Sequence, residues 1–159
     1  MHSNAELIQK FYASFQQRDY RGMIECYHPD VQFKDEAFQL EGKSAGAMWH
    51  MLCERGKDLK LEYSGIEAND ESGRAHWDAW YTFSQTGRKV HNSIDATFTF
   101  RDGKIIKHTD VFNFWRWSRQ ALGPAGMLLG WTPFLRNKVA DGAQKSLNQF
   151  MTKYPEYQE

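Results

Sequence analysis

The chain has 159 residues with 20 basic and 20 acidic side chains, two cysteines, and six Trp, seven Tyr and eleven Phe against only twenty Leu, Ile and Val. A chain of this length buries roughly two-thirds of its unfolded surface, enough for one core without metal or disulfide staples. Rings supply the missing aliphatic volume and net charge is zero, which excludes disorder and argues against an electrostatic grip on nucleic acid.

Met1 to Glu6 lacks the basic and apolar architecture of a signal peptide, so a cytoplasmic location is expected. Ser3 and Glu6 make a capping-box pattern, and Leu7, Ile8, Phe11, Tyr12 and Phe15 recur at helical spacing. Asp19 can cap a second, shorter helix with Tyr20, Met23, Ile24 and Tyr27 inward, stopped at His28 by Pro29. Val31 to Asp35 reads as a short strand. Ser44 opens a third helix whose Ala45, Met48, Trp49, Leu52 and Cys53 share a face, with Gly56 as terminator. Cys26 and Cys53 lack CxxC spacing and read as reduced, partly buried thiols.

The period then changes to two. Leu59, Leu61 and Tyr63 alternate, as do Ala75, Trp77, Ala79, Tyr81 and Phe83, and then Ile94, Ala96, Phe98 and Phe100. Asn69 to Gly73, Thr86-Gly87 and Asp102-Gly103 are turn chemistry, and a final strand is predicted from Lys104 to about Trp117. Helices first and antiparallel strands afterwards indicate an α+β domain with helices on one face of a curved, mainly antiparallel sheet, over residues 1–117. Residues 118–159 read as an apolar, helical C-terminal extension packed on that domain. Gly and Pro interrupt its apolar stretch from Gln120 to Leu135, which falls short of a transmembrane segment.

Even positions of the last predicted strand are Ile106, His108, Asp110, Phe112 and Phe114, which puts a His and an Asp among apolar side chains. A desolvated carboxylate must be paired, protonated or facing a cavity, so His108 and Asp110 are the first candidates for chemistry. Asp35 ends the first strand and reads either as a turn residue or as a second site carboxylate. The orientation of Asp95 depends on the hairpin. A two-residue turn at Asp102-Gly103 sets it opposite Asp110. A three-residue loop from Arg101 sends it outward and joins Ala96, Phe98 and Phe100 to the face of His108 and Asp110; uniting two apolar stripes favours this register. His76 and His91 read as ordinary strand histidines. No metal-ligand spacing and no phosphate or dinucleotide loop is present, so neither a metal nor a cofactor is expected.

The segments "ELIQKFYASFQQRDYRGMIECYHPDVQFKD", "GKSAGAMWHML" and "FTFRDGKIIKHTDVF" together resemble the nuclear transport factor 2 like superfamily over about residues 4 to 115. That superfamily includes ketosteroid isomerase and the small polyketide cyclases. The resemblance implies a cone of helices and curved sheet that commonly dimerises through the outer sheet face, where Ala75, Trp77, Tyr81 and Phe83 would supply apolar surface. It aligns Asp110 with the cyclases' general acid/base and Asp35 with the isomerase's proton-shuttling aspartate. The isomerase's oxyanion-donating tyrosine falls on Phe11, and its second aspartate on Asp95 or Ala96, which argues against steroid isomerisation. The Arg-x-Asp arrangement of limonene epoxide hydrolases is absent from the Val90 to Phe100 strand, whereas His108 with Asp35 imitates part of the scytalone dehydratase set.

The expected activity is cofactor-free proton transfer (isomerase, cyclase or dehydratase-like) on a small apolar carbonyl or polyketide-like compound. Asp110, His108 and Asp35 would be its catalytic residues, in a pocket lined by Tyr12, Phe15, Trp49, Phe98, Phe112 and Phe114. The alternative is a non-catalytic module of the same fold that binds a small ligand or dimerises.

Overall fold

A computed structural model describes residues 1–158. Helices α1 (Ser3–Gln16) and α2 (Tyr20–Glu25) are followed by strands β1 (Tyr27–Lys34) and β2 (Gln39–Glu41) and by helix α3 (Lys43–Arg55). Strands β3 (Lys60–Ala68), β4 (Ser72–Phe83), β5 (Arg88–Arg101) and β6 (Lys104–Val111) come next. Helices α4 (Phe114–Leu122), α5 (Pro124–Leu129) and α6 (Pro133–Thr152) and a 3-10 turn at Pro155–Tyr157 end the chain. One curved, open, six-stranded sheet has the order β2-β1-β6-β5-β4-β3, with only the β1–β6 pair parallel. This is the α+β cone expected from the sequence.

The apolar stripe of α1 (Ile8, Phe11, Tyr12, Phe15) lies against β3 and β4, while α3 covers β1 and β2 and is itself covered by α6. Leu147 and Phe150 of α6 belong to the same core as Trp49 and Phe98. A smaller cluster of Val90, Phe114, Trp117 and Ala121 fixes α4 to β5.

Several boundaries differ from the sequence reading. His2, not Ser3, caps α1, accepting the Asn4 N–H at 3.0 Å. The second helix stops at Glu25 and Tyr27 begins β1, because Pro29 forces extended backbone before it and removes a ladder N–H, leaving an irregular stretch between Tyr27 and Gln32. The last strand ends at Val111, not near Trp117, because Asn113 accepts the Arg116 N–H and caps a helix.

The β5–β6 hairpin combines the two predicted registers. Its turn is the two-residue Asp102-Gly103, both with positive φ, as a type I′ turn requires. Between Phe100↔Ile105 and Thr99↔Lys107 the register slips by one, and Ile106 has no partner across the pair. The slip does what a three-residue loop would have done: Phe98 faces His108, Ala96 faces Asp110, and Asp95 points outward with 81% of its side chain exposed. It also makes Ile105, not Ile106, the buried isoleucine of this strand.

Ala75 and Trp77 do not supply apolar surface to the outer face. They are 5% and 6% exposed, pointing into the core, because they alternate in phase with Ala79 on the helix-covered side. The outer face carries a polar net in which His76 bonds Asp95, Asp78 and Ser93, and His91 bonds Asp78. The Asp95 hydrogen bond, with the charge of Asp78 added, raises the His76 pKa. Trp80 stacks on His91 at 4.6 Å.

Gly126 lets α5 lie directly on α4, since a Cβ there would collide with the Ser118 carbonyl. Gly142, in the exposed middle of α6, has nothing within 4 Å of where a Cβ would sit. Gly126→Ala is therefore expected to lower stability by about 1–3 kcal/mol, and Gly142→Ala to raise it by about 0.5–1 kcal/mol. Urea denaturation of the two variants checks both signs.

Candidate active site

The parallel pairing Phe33↔His108 and Lys34↔Thr109 brings Asp35, just past the end of β1, level with Asp110 on the inner side of the sheet. From this register a hydrogen-bonded line runs through the core. The Trp49 indole N–H donates to the Tyr27 hydroxyl at 2.8 Å, Tyr27 lies 2.8 Å from His108 Nδ1, and His108 Nε2 lies 2.9 Å from Asp110 Oδ1. Because Trp49 donates to its oxygen, Tyr27 is free to give its own proton to Nδ1; Nε2–H then donates to Asp110. The His108 side chain is inaccessible and that of Asp110 is 3% exposed. Among the described residues the other Asp110 oxygen has no hydrogen-bond partner.

Rings enclose this line. Phe98, Phe33, Phe11 and Trp49 have centroids 4.4, 5.0, 5.4 and 6.0 Å from the His108 ring, Trp49 nearly parallel to it. Phe15 packs edge-on against Trp49 and Trp77. Tyr12 lies between Tyr63, Trp77 and Phe98, and its buried hydroxyl has no partner; the Trp77 indole N–H is likewise unpaired. Burial holds the Tyr12 and Tyr27 hydroxyls well above the usual phenol range, and the charge of Asp110 adds to both. Asp110 thus shares one low-dielectric region with two tyrosines.

Asp35 does two things at once. Its Oδ1 accepts the N–H groups of Ala37 and Phe38, both at 2.7 Å, which is the turn role. Yet burial pushes its pKa up to about 7 against those two hydrogen bonds, and the charges of Asp110 and Glu36 push the same way. Although part of the residue remains accessible, the carboxyl titrates near neutrality.

Of the predicted site residues, Asp110, His108, Tyr12, Phe15, Trp49 and Phe98 meet in this region and Asp35 sits at its edge. Phe112 is half-buried between the two apolar clusters, and Phe114 stands apart, packed on Trp117 in the smaller one. Tyr27, central to the hydrogen-bonded line, continues the helical spacing of Tyr20 and Met23 yet begins β1, and the Pro29 that follows is the signal that ends the helix before it. Two surface clefts of about 600 and 470 Å³ lie elsewhere. One runs along the outer strand ends from Glu67 to Thr109, the other lies between α2, the start of α3 and Tyr157. Neither is lined by Asp35, His108 or Asp110. Cys26 and Cys53 are free, buried and held as thiols, burial pushing each up to about 11. No group of His, Cys, Asp and Glu among the described residues is arranged to hold a metal ion.

A SnoaL-like domain matches residues 8–108. The chain belongs to the SnoaL-like family. This places it in the nuclear transport factor 2 like superfamily, as its sequence resemblance implied. Similar solved structures include a candidate polyketide cyclase from Xanthomonas campestris, 21% identical with a TM-score of 0.62, over 74% of this chain and 96% of that one. IdmH, a candidate polyketide cyclase from Streptomyces antibioticus, is 17% identical with a TM-score of 0.63, over 75% and 98%. An LEH-like epoxide hydrolase of M. tuberculosis is 14% identical with a TM-score of 0.61, over 80% and 96%. Identities this low show the shared fold alone. Among curated proteins no sequence matches. The SnoaL-like match ends at His108, so Asp110 and the helices α4 to α6 lie beyond it.

Tyr27→Phe removes the partner of both the Trp49 N–H and His108 Nδ1 without changing the packed volume. It is expected to cost about 2–3 kcal/mol, measurable by urea denaturation, because unpaired buried polar groups bear their full desolvation penalty. For Asp35 the folded pKa, about 7, lies above the ordinary 3.8. The native state therefore binds the extra proton, and the stability this group contributes is full below pH 3.8 and lost as pH rises through about 7. Asp35→Asn should flatten that decline between pH 4 and 7 in a thermal-melt series.

Proposed function

We propose that this SnoaL-like chain is an acid/base enzyme, working without a cofactor, for a small apolar carbonyl or polyketide-like compound. By class it is an isomerase, cyclase or dehydratase. The observation that carries the reading is Asp110: a nearly dry carboxylate tied by one oxygen to His108, its other oxygen without a protein partner among the described residues, in the same buried region as the unpaired hydroxyl of Tyr12 and close enough for its charge to act on it. A buried donor with no acceptor is costly, and a bound carbonyl oxygen would supply one.

In this reading the free oxygen of Asp110 takes a proton from the carbon next to the substrate carbonyl. The C–H electron pair forms an enolate whose oxygen is stabilised by the Tyr12 hydroxyl. His108, fixed by Tyr27, orients Asp110, and Asp35, titrating near 7, returns a proton at the second position. Tyr12, Phe15, Trp49, Phe98 and Phe112 bound the apolar space. A cytoplasmic location belongs to the same reading. So does pairing of two copies through the outer sheet face, as a polar contact around Trp80 and the His76–Asp78–His91 net rather than an apolar one.

The second reading, a ligand-holding module without catalysis, is favoured by one observation: both ring nitrogens of His108 are already paired inside the protein.

Deuterium exchange into 2-tetralone in heavy water, followed by NMR, separates the two. The wild-type chain should accelerate exchange, and Asp110→Asn should slow it by about 10² to 10⁴ with the fold intact. An Asp110→Asn variant as fast as wild type would overturn the assignment of that residue. A wild type that binds 2-tetralone without exchanging it would select the second reading.

A further inference from the structure

Among the described residues ten large apolar side chains are exposed, and six of them fall in one short stretch: Trp115, Met127, Leu128, Leu129, Trp131 and Phe134. Leu128, Trp131 and Phe134 are 69%, 74% and 67% exposed, although each lies in or beside an ordered helix. The six are fastened into one surface. Trp115 Nε1 donates to the Met127 carbonyl at 3.0 Å, Trp131 Nε1 donates to the Leu128 carbonyl at 3.0 Å, and the contact at Gly126 holds α5 against α4. Six exposed large apolar side chains held on three adjoining helices and their connections are not singly scattered surface residues, and such a cluster marks a place of association.

Charge says what it associates with. From Val111 to Ala140 there is no Asp or Glu, while Arg116, Arg119, Arg136 and Lys138 are all cationic. Arg136 is paired with Glu36 at 2.7 Å, and Arg119 lies over the Trp115 ring at 4.4 Å. Among the described residues Arg116, Arg119 and Lys138 have no acidic partner within ion-pair distance. Two-fold pairing of copies through this face would set the same cations against themselves, because such a contact matches a patch with its own copy. An anionic lipid surface suits both properties: exposed Leu, Phe and Trp enter the acyl boundary while flanking Arg and Lys reach the headgroups.

We propose that the face built by α4, α5 and the first turn of α6 docks onto anionic lipid bilayers without crossing them. Among the described residues no helix is long and apolar enough to cross a membrane. Arg136 joins this face to Glu36, the residue after Asp35. A docked chain would therefore hold the edge of its candidate site near apolar compounds dissolved in the bilayer. This last extension rests on the acid/base reading; the docking does not, and its test uses no substrate.

The full chain is sedimented with extruded vesicles of phosphatidylglycerol and phosphatidylcholine in equal parts, and separately with phosphatidylcholine alone. Binding to the anionic vesicles is expected, about tenfold weaker on the neutral ones or in high salt. Leu128→Ser with Phe134→Ser should abolish it, and Arg116→Glu with Lys138→Glu should remove the preference for anionic lipid. All four side chains are exposed, and circular dichroism confirms that each variant is folded. A wild-type chain left in the supernatant with both vesicle types overturns the proposal. So does a dimer by analytical ultracentrifugation that the Leu128 and Phe134 changes dissociate without any vesicle binding, since the face would then be a self-contact.

Discussion

Ile106 has no partner across the β5–β6 hairpin, and this one extra residue decides which side chains of β6 enter the core. Side chains on a strand alternate with period two, so an unslipped register would expose His108 and Asp110 and bring Thr109 inward. The type I′ turn at Asp102-Gly103 fixes the strand twist, and the slip three positions later corrects the phase. The correction extends beyond the hairpin. β6 is also the partner of β1, and only with this phase does His108 fall beside Phe33 and Asp110 level with Asp35. The candidate site is thus assembled by a local irregularity at the centre of the sheet.

What the slip delivers into the core is polar, and the aromatic composition is what makes room for it. Leu or Ile would fill the same volume without offering a hydrogen bond, whereas Trp49 and Tyr27 bury rings and still carry an N–H and an O–H to hand on to His108. The line ends on Asp110, whose desolvation is offset by the single bond from His108. Asp35 is treated differently. Its two backbone hydrogen bonds come from its own turn, so they fix the loop as much as they stabilise the carboxylate, and burial dominates its pKa. Two carboxylates in neighbouring positions thereby sit in unequal environments, one bonded to a buried histidine and one to its own turn.

The sequence made much of this legible, and its failures have physical causes. The inward stripe of α1, the strands β3 to β6 and the His-x-Asp pair followed from period alone, since a half-buried element must repeat its apolar positions. The slip at Ile106 was invisible because Ile105 and Ile106 are both apolar, and composition cannot say which is buried. Tyr27 was misplaced because helical spacing from Tyr20 and Met23 continues through it, while Pro29 acts only from two residues downstream. Trp77 and Ala75 were assigned outward because alternation identifies two faces without saying which one the helices cover. That is settled by tertiary packing, here by Phe15 and Tyr12 meeting Trp77. The β2 strand, three residues with a single buried Leu40, carries too little pattern to be read at all.

The helices after β6 are bound up with the site more closely than an appendage would be. Trp117 donates to the Tyr81 hydroxyl at 2.7 Å, and burial raises the pKa of that same tyrosine, with the charge of Asp35 adding to it. Arg136, at the start of α6, bonds Glu36 and lies over the Phe114 ring at 5.1 Å, so the turn holding Asp35 is fastened from the far end of the chain. Neither of the two surface clefts is lined by Asp110. The β1–β2 turn is held by two backbone hydrogen bonds to Asp35 and one exposed ion pair to Arg136, whereas the opposite side is a packed helix α1 whose Phe11, Tyr12 and Phe15 are fully buried. Local opening follows the least-buried contacts. The turn is therefore the weaker wall, and its release breaks the fastening to α6 and exposes the Asp35 carboxyl. Because burial is what raises the Asp35 pKa, exposing the carboxyl favours its ionisation, so a protonated Asp35 keeps the turn closed and rising pH loosens it.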